Sequence, residues 1–171
     1  MRPRDLFASI GLLLIAAACG PAPDAQVEGN KDLVRQFTEA TNVADWELLA
    51  GIVAENFARH SQATAGPPVT SRDQFVQLQE SFLVSFPDQR VTILQLVAED
   101  DRVAMLATYS GTHTGPMGDI PPTGLPVESP FLAIFRVESG QIAELWVEWD
   151  NLSVMSQLGL FPPPPPTPTE S

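Results

Sequence analysis

The chain has 171 residues, 44% of them hydrophobic and 18% charged, with nine basic against 21 acidic side chains for a net charge of −12. That length holds one domain with appendages, and it can bury a core without disulfides or metals. Lys31 is the single lysine and no basic cluster follows the first four residues, which excludes nucleic-acid binding and electrostatic attachment to a membrane.

The first segment is organised for export. Arg2 and Arg4 give a positive start, an apolar run extends from Leu6 to Ala18, and the small residues Ala16, Ala17 and Ala18 precede Cys19. A charged start, a short apolar stretch and small residues before a cut describe a secretory signal, here residues 1–18. The run is too short to favour a spanning helix. The stretch IAAAC at 15–19 resembles the bacterial lipobox, with Ala16 where leucine is usual. The resemblance implies cleavage before Cys19, diacylglycerol on its sulfur, and a protein lipid-anchored in the cell envelope. Acyl chains in that number hold a protein to a bilayer. The competing reading is a plain secretory cut nearby with Cys19 incidental; as the only cysteine, it has no intrachain disulfide partner.

Residues 19–29 read as the lipidated cysteine and a tether, because they are small, bear Pro and Gly, and lack apolar periodicity. Asn30 then stands as a helix cap before Leu33, Phe37, Ala40 and Ala44 at helical spacing. A second short helix starts near Asp45 and is expected to bury Leu48, Leu49 and Ile52, followed by a polar loop through Gly66, Pro67 and Pro68. Ser71 to Gln74 carries the S-x-x-Q capping-box pattern, and Phe75, Leu78, Phe82 and Phe86 line one face of a third helix that Pro87 ends.

From there the period becomes two. Strands are expected over 91–97, 103–113, 131–137 and 142–150, with turns at 99–101 and at Ser139-Gly140. The segment 114–126, with Gly115, Gly118, Gly124 and four prolines, reads as a loop, and 152–158 as a short closing helix ended by Gly159. Residues 161–171 form a proline-rich tail that is neither helix nor central strand. Helices first and adjacent antiparallel strands afterwards describe an α+β domain over 30–160, with helices on one sheet face and room for an apolar pocket between.

Five stretches within 30–160 resemble the SnoaL-like polyketide cyclases, or ester cyclases, of the NTF2-like superfamily: FPDQRVT at 86–92, GTHTG at 111–115, IPPTG at 120–124, ELWVEWD at 144–150 and QLG at 157–159. The resemblance implies a cone-shaped α+β fold enclosing a deep pocket, often a homodimer, and aldol closure of a polyketide ester without a cofactor. In that chemistry a carboxylate removes a C–H proton next to carbonyls, and pocket hydrogen bonds stabilise the enolate.

The family's acid/base is an aspartate near the end of the last strand, which on this chain is Asp150. Alternation puts it on the strand face of Trp146 and Glu148, where an indole in an apolar pocket would raise a carboxyl pKa toward neutrality. The alternative is that Asp150 caps the following helix, and both can hold. His113 and His60 are candidates for polarising a carbonyl or carrying a proton, against the commoner structural role for a lone histidine. Tyr109, Trp146, Glu148 and Trp149 are the candidate substrate contacts. The family's founding members use a histidine in the third strand, and that position is Arg136 here, a departure that bears on the cyclase mechanism. Arg90 and Arg136 are expected to pair with surface acids.

No Cys/His cluster suggests a metal, and no nucleophile elbow, P-loop or dinucleotide fingerprint is present. Two functions therefore compete. One is cofactor-independent acid/base chemistry, cyclising or isomerising a small apolar carbonyl compound. The other is a noncatalytic module that captures such a molecule in the envelope. A structural role that uses the open sheet face as a dimer surface is a third.

Overall fold

The computed structural model describes residues 23–63 and 66–161. The signal segment, Cys19 and the tail from residue 162 lie outside the described residues. The elements are α1 (Pro23–Val43), α2 (Trp46–Ile52), β1 (Val53–His60), α3 (Arg72–Ser85), β2 (Arg90–Glu99), β3 (Arg102–Thr112), β4 (Pro126–Glu138), β5 (Gln141–Trp149) and α4 (Asn151–Gln157). One five-stranded sheet runs β1-β5-β4-β3-β2, antiparallel except where β1 lies parallel to β5. The fold is the expected α+β arrangement, with α1 to α3 against one sheet face.

Two expectations at the N-terminal end are corrected. Residues 23–29, expected without regular structure, are helical and belong to α1. Proline fits a first helical position, where its missing N–H has no intrahelical partner. Asn30 is not a cap: it is buried within α1, and its Nδ2 donates to the Asp100 carbonyl at 3.0 Å, tying the helix to the β2–β3 turn. Val34, Phe37 and Ala40 then face the core.

The second helix is confirmed, with Asp45 accepting from the Leu48 N–H at 2.9 Å, but only Leu49 and Ile52 are buried and Leu48 is exposed. The chain turns directly into β1 where a loop was expected, and Phe57 and His60 therefore belong to a strand.

Helix α3 shows its predicted cap in a modified form. Ser71 Oγ accepts from the Gln74 N–H at 3.3 Å, while Gln74 Oε1 reaches back to the N–H of Thr70 at 2.8 Å. Strand β4 begins at Pro126, five residues earlier than the sequence period suggests. Its pairing with β5 stops at Phe131, so Pro130 withholds no N–H from that neighbour. The β4–β5 hairpin turns through Ser139 and Gly140, both at positive φ (51° and 77°), the mirror-image geometry that suits the twist of paired strands.

The core lies between the helices and the inner sheet face. Phe37 stacks on Phe75 at 5.6 Å and meets the edge of Phe135 at 5.2 Å, while Phe57 packs on Phe75 at 4.8 Å. A smaller cluster of Phe86, Val127 and Leu158 sits toward α4, and Tyr109 packs against both groups.

Candidate functional site

Strand register sorts the candidates. On β5, Leu145 and Val147 are buried and Trp149 half-buried, whereas Glu144 and Trp146 are half-buried and Glu148 is exposed. The inner face therefore takes the odd positions, and Leu145, Val147 and Trp149 lie opposite Phe135, Ala133 and Phe131 of β4. Tyr109 of β3 shares that face, opposite Ser129.

Asp150 follows the other parity, and the expectation that it is pressed against an indole in an apolar pocket is corrected. It is exposed, and Oδ1 accepts from the N–H of Ser153 at 3.0 Å as the N-cap of α4. The N-cap geometry is what Asp immediately before a helix favours, since the first-turn N–H groups lack intrahelical acceptors.

Trp146, His60 and Glu148 occupy the outer face, away from the helices. His60 Nε2 lies 2.9 Å from Glu144 Oε2, and its ring stacks on Trp146 at 4.8 Å. Arg136 donates from Nε to the other Glu144 oxygen at 2.7 Å and also pairs with Glu138 at 3.3 Å. The His60 and Arg136 hydrogen bonds hold the Glu144 carboxyl below its ordinary pKa. Both Glu148 oxygens accept loop N–H groups, from Gln62 at 2.6 Å and Ala63 at 3.0 Å. These bonds anchor the loop after β1 and do not line an apolar pocket.

His113 lies just past β3 and is fully buried. Its Nδ1 accepts from the Thr123 N–H at 3.2 Å, with Thr123 Oγ1 at the same distance, and its backbone N–H donates to the Leu125 carbonyl at 3.0 Å. Phe86 covers the ring at 5.2 Å. This histidine fastens the glycine- and proline-rich loop to the end of the sheet.

What gathers on the inner face is an aromatic rim around Trp149. Phe82 of α3 meets it edge-on at 6.0 Å, Phe131 at 6.4 Å, and the Arg59 guanidinium lies over the ring 5.7 Å from its centroid. Burial lowers the Arg59 pKa and nearby Glu148 partly offsets this. Trp149 Nε1 donates to Asn151 Oδ1 at 2.7 Å, and Asn151 in turn donates to the Ala63 carbonyl. Tyr109, with its hydroxyl 3.3 Å from Gln89 Oε1, adds a polar group on the same face. Burial, with a smaller push from Asp88, raises the Tyr109 pKa far above its usual value, so the phenol stays protonated.

Arg59, Phe82, Gln89, Ser129 and Phe131 were missing from the sequence-derived candidates. Gln89 stands in the FPDQRVT stretch, which marked its neighbourhood but not its inward direction. Two open surface grooves of about 400 and 410 Å³ lie elsewhere, one beside Asp88, Thr112, Glu128 and Gln157, the other beside Glu55, Asn56 and Arg72. Neither is lined by Asp150, Tyr109 or Trp149. Among the described residues no three His, Cys, Asp or Glu side chains cluster to hold a metal ion. Among them, too, no helix is long and apolar enough to cross a membrane.

Residues 31–158 match the SnoaL-like polyketide cyclase family. The chain belongs to that family. IdmH from Streptomyces antibioticus, a candidate polyketide cyclase, is 32% identical over 76% of this chain and 98% of its own, with a TM-score of 0.68. AclR from Streptomyces galilaeus, a candidate hydroxylase, is 27% identical over 81% of this chain and 90% of its own, at 0.71. A SnoaL-like protein from Jannaschia, 22% identical over 80% of this chain and 94% of its own, shares the fold at a TM-score of 0.71. No curated protein matches the chain. SnoaL-like membership supports cofactor-independent chemistry of the cyclase or isomerase type, and the two Streptomyces relatives bear different activity names.

Proposed function

We propose that this SnoaL-like domain performs cofactor-independent acid/base chemistry, cyclising or isomerising a small, largely apolar carbonyl compound held at the Trp149 rim. The observation that carries the reading is the family match across 31–158, nearly the whole described domain. The aromatic rim supplies apolar surface and Tyr109 supplies a donor; Asp150, exposed at the strand end beside Trp149, is the candidate base on the family resemblance alone. His113 serves through the loop it holds, and His60 belongs to the outer face.

A second reading, a noncatalytic binding module, is favoured by one observation. Among the described residues, the buried polar ones are Asn30, Thr38, Thr41, Ser85, Gln89, His113 and Ser129, with no carboxylate among them. Asp150 is exposed and occupied as a cap.

Loss of α-deuterium from labelled 2-tetralone, an apolar ketone with an acidic C–H, separates the two. The catalytic reading expects the wild-type chain to accelerate exchange and Asp150→Asn to lower the rate roughly 100-fold, the scale of a general base. Full exchange in the variant removes Asp150 as the base. A bound ketone that never exchanges establishes the binding module.

The reading also takes the protein to the cell envelope, through cleavage after Ala18 and lipid on Cys19, supported by the sequence pattern alone. Mass spectrometry of the membrane-extracted protein should then show a diacylglyceryl mass on a chain that starts at Cys19. A homodimer over the outer face fits the exposed Leu94, Leu132 and Ile134. Leu132→Glu should convert a dimer to monomer in sedimentation.

A further inference from the structure

The inner face carries a second polar feature beside the aromatic rim. Gln89 is 9% exposed and lies just before β2, and its Nε2 is buried without a hydrogen-bond partner among the described residues. A buried N–H donor without an acceptor costs on the order of 1–3 kcal/mol, so such a group calls for an explanation. Its carbonyl end is engaged only loosely, because the 3.3 Å from Tyr109 Oη is long for an O–H···O bond. Ser129, directly across from Tyr109, is buried, and its Oγ reaches only the carbonyl of Pro130, at 3.3 Å.

Apolar groups surround these side chains. Phe86 packs edge-on to Tyr109 at 5.9 Å and also lies 5.2 Å from the His113 ring. Tyr109 itself joins the main core to the Phe86–Val127–Leu158 cluster. Donors with little of their capacity used, set in an apolar seam, form the arrangement that recognises one oxygen on an otherwise greasy molecule.

We infer that Tyr109 and Gln89 form a recognition pair for a ligand carbonyl or enolate oxygen, with the Tyr109 hydroxyl and Gln89 Nε2 as donors. The inference rests on the proposed function, in which an apolar carbonyl compound occupies the inner face. It specifies the end of the ligand that is read. To donate to the ligand, Tyr109 exchanges its long bond to Gln89 Oε1 for a shorter one, and Gln89 Nε2, already without an acceptor, is the second donor. The raised pKa of Tyr109 keeps its proton in place, so the pair serves as donor and not as base.

Two probes of like shape test the pair on the full chain: 2-acetylnaphthalene, which has a ketone, and 2-ethylnaphthalene, which lacks it. The wild type should bind the ketone roughly fivefold more tightly, the scale of one net hydrogen bond. Its carbonyl stretch should move to lower frequency on binding. Tyr109→Phe, which removes one oxygen atom from a packed ring, should erase most of that preference, return the stretch toward its unbound position, and leave 2-ethylnaphthalene affinity unchanged. Gln89→Met should act in the same direction and covers the case in which the tyrosine variant is unstable. If both variants keep the preference and the shifted stretch, or if the wild type binds both probes equally, the pair does not read the oxygen while the apolar site stands. If the wild type binds neither probe, the proposed function fails and the pair with it.

Discussion

Replacing Asp150 separates a helix-capping role from a chemical one. Its Oδ1 accepts the Ser153 N–H at 3.0 Å at the start of a seven-residue helix. Its C-cap residue is Leu158, 1% exposed, which packs against Phe86 and Val127. Alanine removes the acceptor and should cost about 1 kcal/mol, the usual value of an N-cap. For a domain of this size that corresponds to a fall in Tm of about 3–5 °C. Asparagine keeps an acceptor oxygen at the same place and should cost only a few tenths of a kcal/mol. Thermal melts followed by circular dichroism measure both, and hydrogen exchange at the Val154 and Leu158 amides locates the loss in α4. Equal destabilisation by Ala and Asn, or none by Ala, would refute the capping geometry. The expected near-neutrality of Asp150→Asn also makes it the suitable variant for the exchange assay, because lost activity would then not reflect lost structure.

Gly115→Ala should be strongly destabilising, because a Cβ there would lie 1.9 Å from the Val84 carbonyl oxygen. Both groups are backbone-borne, so the cost should reach about 2–3 kcal/mol, and denaturant titration reads it; a loss under about 0.5 kcal/mol would contradict the packing. The Asp88 carboxylate accepts from the N–H and Oγ1 of Thr112, each at 2.7 Å, and these bonds lower its pKa from 3.8. A group depressed on folding stabilises fully above its unfolded pKa and loses that contribution as pH falls through the folded one. Asp88→Asn should therefore flatten the decline in Tm below about pH 4, and an unchanged acid limb would show that Asp88 is not coupled to folding.

The sequence carried more of the fold than of the site. Strands β3 and β4 alternate buried with more exposed positions, β2 and β5 do so apart from one bulge each, and Ser71 with Gln74 announces α3, so local chemistry and burial agree there. Strand β1 was hidden because its partner is β5, more than eighty residues away (Arg59 opposite Leu145), and its register shifts between Val53 and Ala58. The early turns of α1 were missed for a different reason. Residues 25–29 have no buried position, so no apolar stripe marks them until Asn30.

At the site the strand period is legible in the sequence and the choice of face is not. Side chains alternate, so the expectation that Trp146 faces the pocket carries Glu148 and Asp150 with it, whereas Trp149 is the β5 tryptophan that packs on the core. Strand parity relates β5 residues to one another, but only packing against α3 decides which parity is inside. Gln89 and Ser129 were unreadable on the same ground: each is polar in a local pattern that reads as turn or strand end, and each is buried by residues distant in sequence.

The proposed function requires ligand on the inner face at Trp149, not on the outer face at Trp146. The three tryptophan indole N–H resonances, assigned by single substitutions, provide the direct measurement during titration with 2-acetylnaphthalene. The Trp149 resonance should move with saturation while those of Trp46 and Trp146 stay in place. Movement of Trp146 alone, or saturable binding with Trp149 unmoved, would show that the ligand does not occupy the inner face.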